Sequence, residues 1–215
     1  MENKLGNQMN LYEKYILPPL LNCACGLSLL KRHRKDIVPR ARGAVLEVGI
    51  GSSLNKDFYD FDQITEISGL DPNESLLKIA RDNNSSLPHK MSLTAGTSER
   101  LPFPSNQFDS VVITFSLCTI PRPKQAIKEI RRVLKSKGEI HFCEHGLGDT
   151  PNIQRIQKFV EPIWRPMAGG CNLSRDIFGL ITEGGFKLFD YEAIYADGVP
   201  KFVGYLYKGS AKKID

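Results

Sequence analysis

The stretch V-L-E-V-G-I-G-S-S-L-N, Val45 to Asn55, constrains this chain more than any other. Apolar residues Ala44, Val45, Leu46, Val48 and Ile50 run into Gly49 and Gly51, after which the sequence turns polar and can start a helix. A strand, a tight glycine turn and a helix start make the βα unit that holds nucleotides, because a residue without Cβ lets backbone N–H groups approach the ligand. A dinucleotide fingerprint would carry a third glycine three residues after Gly51, but Leu54 stands there, preceded by Ser53. The unit therefore suits a nucleotide-like ligand, and a nicotinamide dinucleotide is disfavoured. Glu47 is an acid inside an otherwise apolar strand, so burial obliges it to find a partner, which a ligand could provide.

Apolar β-rich runs alternate with helical patterns from Gly43 onward. Strands are predicted over Ala44–Val48, Ile64–Leu70, His89–Thr94, Asp109–Phe115 and Gly138–Cys143. Between them, S-S-L-N-K-D-F-Y, N-E-S-L-L-K-I-A-R-D-N and K-Q-A-I-K-E-I-R-R-V-L-K-S-K read as helical, the last closed by Gly138. Such alternation implies an α/β domain with a mostly parallel sheet covered by helices on both faces. Towards the end, Ile153, Ile156, Phe159, Val160 and Ile163 fall on one helical face. A second helix follows, with Asn172 or Ser174 as N-cap and Gly184 and Gly185 as its stop. Two last strands, Phe186–Tyr195 and Lys201–Tyr207, are joined by A-D-G-V-P. A connection this short cannot carry a parallel crossover, so they must form an antiparallel hairpin. The expected organisation is a lid or helical segment over 1–42 and one domain over 43–215.

Charge and cysteine usage exclude several classes. The net charge of +5 is concentrated in K-R-H-R-K (Lys31 to Lys35), Arg40, Arg42 and the run Lys128 to Lys137. These read as solvated helix faces, and no nucleic-acid motif or aromatic interleaving accompanies them. The five cysteines, Cys23, Cys25, Cys118, Cys143 and Cys171, are odd in number and lack metal-ligand spacing, so no metal is expected and a reduced, cytoplasmic setting is. The apolar segment Tyr15 to Leu30 is interrupted by Pro18, Pro19 and Asn22 and is too short to span a bilayer. It reads as a lid packed on the domain, or as an interfacial helix giving peripheral membrane contact.

In an open α/β sheet the ligand sits beyond the carboxyl ends of the strands, so each loop after a strand is a candidate contact. Asp71, in G-L-D-P-N, lies 20 residues past Gly51, where an acid can accept from both ribose hydroxyls. The loop A-G-T-S-E-R-L-P-F-P-S-N-Q-F-D-S-V-V follows the third strand. Together with E-V-G-I-G, G-L-D-P-N and R-R-V-L-K-S-K-G-E, it resembles the class I S-adenosylmethionine-dependent methyltransferases over about residues 43 to 145. That resemblance implies a Rossmann-like seven-stranded sheet of order 3-2-1-4-5-7-6 with the last strand antiparallel. It implies S-adenosyl-L-methionine as cofactor, released as S-adenosyl-L-homocysteine. Gly49 and Gly51 would line the methionine part, Asp71 would hold the ribose with help from Asn73, Phe115, Ser116 and Leu117 would flank the sulfonium, and Glu47, Ser53 and Pro72 are further cofactor-binding candidates. Thr97, followed by Ser98, stands where the family often has an adenine-binding Asp, so a hydroxyl replaces the carboxylate.

Glu144 and His145 close strand five and are the candidate catalytic pair, His145 as the base that takes the acceptor's proton. His141 alternates into the strand interior. A narrower resemblance adds to this. F-C-E-H-G, then E-P-I-W-R-P-M-A-G-G-C-N-L-S-R-D, is similar to the methyltransferase-like seven group, which implies an alkyl thiol as acceptor. Glu144, His145, Pro162, Trp164, Gly170, Cys171, Leu173 and Arg175 match that pattern, with Ser174 where Thr is usual. On the substrate side stand Tyr12, Tyr15, Cys118, Trp164 and Arg175, Arg175 pairing with a substrate anion or with Glu144 or Asp176. Phospholipid N-methylation and quinone-precursor C-methylation are the alternatives within the class.

Overall fold

The computed structural model describes residues 28–85 and 91–214. Tyr12, Tyr15, Cys23, Cys25, His89 and the apolar segment up to residue 27 lie outside them. Seven strands form one sheet in the order β3-β2-β1-β4-β5-β7-β6. They are β1 (Gly43–Val48), β2 (Ile64–Asp71), β3 (Met91–Ala95), β4 (Phe108–Thr114), β5 (Leu134–His145), β6 (Phe186–Tyr195) and β7 (Tyr205–Lys213). The pairs β1–β2, β1–β4, β2–β3 and β4–β5 are parallel; β5–β7 and β6–β7 are antiparallel. The expected sheet and its reversed terminal hairpin are thus both present.

Successive side chains of a strand point to opposite faces. Leu46, Val48 and Ile113 enter one core with Ile127 and Ile130 of α3 (Pro123–Val133) and Ile181 of α5 (Ile177–Glu183). Val45, Ile67 and Val112 enter another with Val38 and Tyr59. On that second side, Leu30 and Ile37 of α1 (Ser28–Ile37) pack with Phe115, Cys143 and Leu206. The central strands are buried on both faces, which is why they read as continuous Val, Leu and Ile runs. Helix α2 (Glu74–Asn83) follows β2, and α4 (Pro151–Met167) follows β5.

Several local expectations are corrected. No α-helix follows β1: the chain makes turns and a single 3-10 turn at Lys56–Phe58. Gly51 and Ser53 take left-handed backbone, φ +54° and +67°, which breaks a right-handed helix at its start. Helix α3 ends at Val133 rather than at Gly138, which sits inside β5. Leu134 is fully buried and pairs with Phe108, so tertiary packing outweighs the helical propensity of the Lys-Ser-Lys run. The hairpin is antiparallel, but β7 begins at Tyr205; Lys201 and Phe202 belong to a turn closed by Val203 and Gly204 N–H groups on the Pro200 carbonyl. Helix α5 is capped by Asp176, which accepts from the Gly179 N–H, and not by Asn172 or Ser174.

The basic run is not wholly solvated either, because His33 and Arg34 are buried. In α4 the apolar residues Ile156, Phe159, Ile163 and Met167 face outward, while Gln157 is fully buried. Gln157 earns its place inside by accepting from the Gly148 N–H and donating to the Gly146 and Phe202 carbonyls. No helix among the described residues is long and apolar enough to cross a membrane. Cys118, Cys143 and Cys171 are free and buried, and burial pushes the Cys143 thiol up to about 12.

Candidate functional site

The sheet order changes direction between β1 and β4, and the mouth of the site lies beyond their carboxyl ends. Gly49, φ +71°, sits so close to Ser116 that a Cβ would come within 2.1 Å of its Oγ. Ser116 Oγ donates to the Gly49 carbonyl at 3.1 Å, tying the two strand ends together. Gly51, by contrast, has nothing within 4 Å of where its Cβ would be. Its N–H donates to Asp71 Oδ2 at 2.9 Å, and Asp71 Oδ1 accepts from the Asn73 N–H at 2.8 Å. Burial raises the Asp71 carboxyl above its ordinary range, opposed by these two N–H groups. Each carboxylate oxygen keeps further lone-pair capacity. An open glycine turn beside such an acid fits a nucleoside with free ribose hydroxyls.

Around this mouth the candidate residues divide. Thr97 is exposed just past β3, and Ser98 is buried beside Glu99. Asn73 caps α2, accepting from Ser75 and Leu76, and Pro72 is exposed. Ser53 is corrected to a structural role: it is 1% exposed, and its hydroxyl donates to Asn84 Oδ1. The Glu47 carboxylate accepts from Asn55 Nδ2 at 2.9 Å and from the Tyr59 hydroxyl at 2.7 Å, so it needs no ligand as partner. Burial pushes its pKa up to about 7, against the pull of Tyr59, Arg34 and Asn55. Arg34 extends the network, donating to Asn55 Oδ1 and Thr114 Oγ1, both at 2.7 Å, with its guanidinium over the Phe115 ring. Sequence reading missed Arg34, Asn55 and Thr114. Only Asn55, a polar residue eight positions after the strand acid Glu47, offered a signal.

The acceptor side is built at the ends of β4 and β5. Phe115 takes φ +54°, an uncommon conformation for an aromatic residue, and its ring lies 5.2 Å from that of His145. Glu144 is fully buried, and its two oxygens accept from the backbone N–H groups of Ser116, Leu117 and Cys118 at 2.8, 2.9 and 3.0 Å. The catalytic role expected for Glu144 is therefore corrected to positioning: its lone pairs hold the turn after β4, and it has no access to a ligand. The Leu117 side chain lies in the main core, so only its backbone stands near the mouth. The guanidinium of Arg175 donates to the carbonyls of Leu117 and Ile120, so it grips the same turn instead of pairing with Glu144 or Asp176.

His145, Cys118 and Cys171 converge. Their ligating atoms all lie within 4.8 Å of one another, with both cysteines buried and the histidine half-buried. Trp164, Ala168, Leu173, Phe202 and Val203 pack round the sulfurs. The neighbouring Cys118, His145 and Trp164 lower the Cys171 thiol below its ordinary range, while Cys171 and burial push Cys118 above it. The arrangement sets two buried sulfurs a short distance from an imidazole at the mouth of β4 and β5.

Residues 46–142 match the family described as "Methyltransferase domain". The chain is 29% identical over 148 residues to thiol S-methyltransferase TMT1B of Rattus norvegicus, covering 66% of this chain and 59% of that protein. With the TMT1B of Homo sapiens it shares 30% identity over 153 residues, covering 69% and 62% respectively. The chain thus spans about three fifths of the length of these relatives. Among solved structures, a putative methyltransferase from Bacillus halodurans superposes with a TM-score of 0.69 at 16% identity, over 87% of this chain and 99% of the other. The glycine turn, Asp71 at the end of β2, Ser116 in the turn after β4 and most of β5 all fall inside the segment, residues 46–142, that matches the methyltransferase domain family.

Proposed function

We propose that this protein transfers a methyl group from S-adenosyl-L-methionine to a small or lipophilic acceptor, with an alkyl thiol as the substrate of first choice. The observation that carries the cofactor half is the open turn at Gly51, whose N–H is bound by Asp71. When bound, S-adenosyl-L-methionine supplies an electrophilic methyl on a sulfonium. The chain's part is placement: oriented reactants alone contribute roughly 7 to 11 kcal/mol. Asp71 would accept from the ribose hydroxyls, the Thr97 hydroxyl would accept from the adenine amine, and the Phe115 ring would offer its face to the positive sulfur.

The thiol half rests on the likeness to the rat and human thiol S-methyltransferases and on the composition of the acceptor wall. Cys118 and Trp164 line that wall with His145, which takes the acceptor's proton at a ring nitrogen. The outward apolar residues of α4, Phe159 at 84% exposure among them, lie on the helix that carries Trp164 and suit a lipophilic acceptor delivered at a membrane surface. The test is S-adenosyl-L-homocysteine release with a small alkyl thiol as sole acceptor against a no-acceptor control. Thiol-dependent turnover that is lost in His145→Ala, with cofactor binding retained, supports the reading. Cofactor binding without thiol turnover sends the search to lipid and quinone-precursor acceptors.

A further inference from the structure

We propose that Cys118, His145 and Cys171 form a zinc site whose fourth position takes the acceptor thiol as thiolate. The three residues lie far apart in sequence but come from adjoining pieces of the fold: the turn after β4, the last residue of β5, and the loop between α4 and α5. Their ligating atoms lie within 4.8 Å of one another. Tetrahedral zinc, with Zn–S of about 2.3 Å and Zn–N of about 2.0–2.1 Å, places its ligand atoms roughly 3.5–3.8 Å apart, so the cluster needs only a modest contraction. Two sulfurs and one imidazole are a soft donor set that selects zinc over hard cations, and three protein ligands are the number found where zinc keeps an open coordination position.

The surroundings hold the ligands in place. Cys118 is fixed through its N–H on Glu144 and through its carbonyl, which accepts from the Asn172 backbone and side chain. Cys171 donates its own N–H to the Ala168 carbonyl. His145 lies in β5, paired with Leu206, and its ring is backed by Phe115. The buried indole Nε1 of Trp164 has no hydrogen-bond partner among the described residues, and Trp164 packs against the cysteine cluster, so its N–H is a free donor for the outer sphere of a metal site. Leu173, Ala168, Phe202 and Val203 pack against the two cysteines.

The role of the metal rests on the thiol reading above. As the acceptor R–SH enters, its S–H bond breaks with the electron pair kept on sulfur. That pair forms the S–Zn bond, a zinc-bound water leaves, and the proton passes to solvent. In the zinc-loaded protein His145 is then a ligand, and the acceptor's proton is displaced by the metal in place of being taken by the imidazole.

The test uses the full chain with any affinity tag removed. Metal analysis should find about one zinc per chain, and cobalt(II) in its place should give the intense near-ultraviolet bands of cobalt–thiolate bonding. Cys118→Ser and Cys171→Ser should lose those bands, whereas Cys143→Ser, a buried cysteine outside the cluster, should keep them. His145→Ala, at a half-buried position, guards against loss through misfolding and should bind zinc at least about tenfold more weakly while keeping its affinity for S-adenosyl-L-homocysteine. Wild-type protein with neither bound zinc nor cobalt–thiolate bands overturns the site, as do bands that survive in both serine variants. The same samples separate the two claims. Zinc bound with no thiol turnover removes the thiol reading and leaves the site standing, and full thiol turnover in metal-free protein removes the metal's proposed role.

Discussion

Glu144 Oε2 accepts the backbone N–H of Cys118 at 3.0 Å, and its Oε1 takes those of Ser116 and Leu117, so one buried carboxylate at the end of β5 sets the shape of the turn after β4. Two strand ends are thereby locked together at the point where an acceptor must meet the cofactor. A carboxylate suits the task because it offers only acceptor lone pairs. Glu144→Gln would turn an N–H₂ group towards a backbone donor and leave that donor unsatisfied. The expected cost is about 2–3 kcal/mol in urea unfolding, with weaker S-adenosyl-L-homocysteine binding beside it. A variant as stable as wild type would show that the turn holds without the carboxylate.

Asp71→Asn keeps a side chain of the same shape but loses the charge that strengthens the bonds to ribose hydroxyls. One charge-assisted hydrogen bond contributes about 1.5–3 kcal/mol, so calorimetry should record S-adenosyl-L-homocysteine binding roughly 10- to 100-fold weaker. Asp71→Ala should abolish binding. Unchanged affinity in both variants would remove Asp71 from the cofactor site.

At Gly49 the expected effect is steric. Gly49→Ala places a Cβ 2.1 Å from Ser116 Oγ in a backbone at φ +71°. The left-handed conformation alone costs an alanine about 1–2 kcal/mol, and the clash adds to it. Combining Gly49→Ala with Ser116→Gly removes the clash but not the backbone strain. The double variant should therefore recover part of the stability lost by the single one, as read from thermal unfolding.

Glu47 predicts a pH effect. Its folded pKa is raised by burial to about 7, so its contribution to stability is fully present below the ordinary carboxyl range and is lost as the pH rises through 7. A shift of that size corresponds to at most about 3 kcal/mol. Glu47→Gln has no such titration. Its stability relative to wild type should rise between pH 5 and pH 8 in urea unfolding, and a difference that stays flat over that range would show that Glu47 is ionised throughout.

The strand-glycine pattern, the alternation of elements and the final hairpin were legible in the sequence because each is local. A buried parallel strand must be apolar throughout, a close backbone approach needs glycine, and a short connection forces antiparallel pairing. Gly49, Gly51 and Asp71 could be placed from spacing alone. Local patterning misled where tertiary contacts outweighed propensity: Leu134 ends α3 early by packing against Phe108, and Ser53 in left-handed backbone cancels the helix after β1. The roles of polar residues depended still more on the assembled fold. Glu144 looked like a catalytic acid from its place beside His145, yet its lone pairs are taken by N–H groups some 26 to 28 residues earlier in the chain. Arg34 looked like part of a solvated run and is instead buried on Asn55 and Thr114. Cys118, His145 and Cys171 carried no ligand spacing, and only the parallel crossing of β4 and β5, with the loop after α4 folded over both, brings two sulfurs and an imidazole within 4.8 Å. Sequence determines which backbone can be built because propensity and burial patterns act between neighbours; which side chains meet is decided by tertiary structure, because those distances are set by the packing of strands and loops remote in the chain.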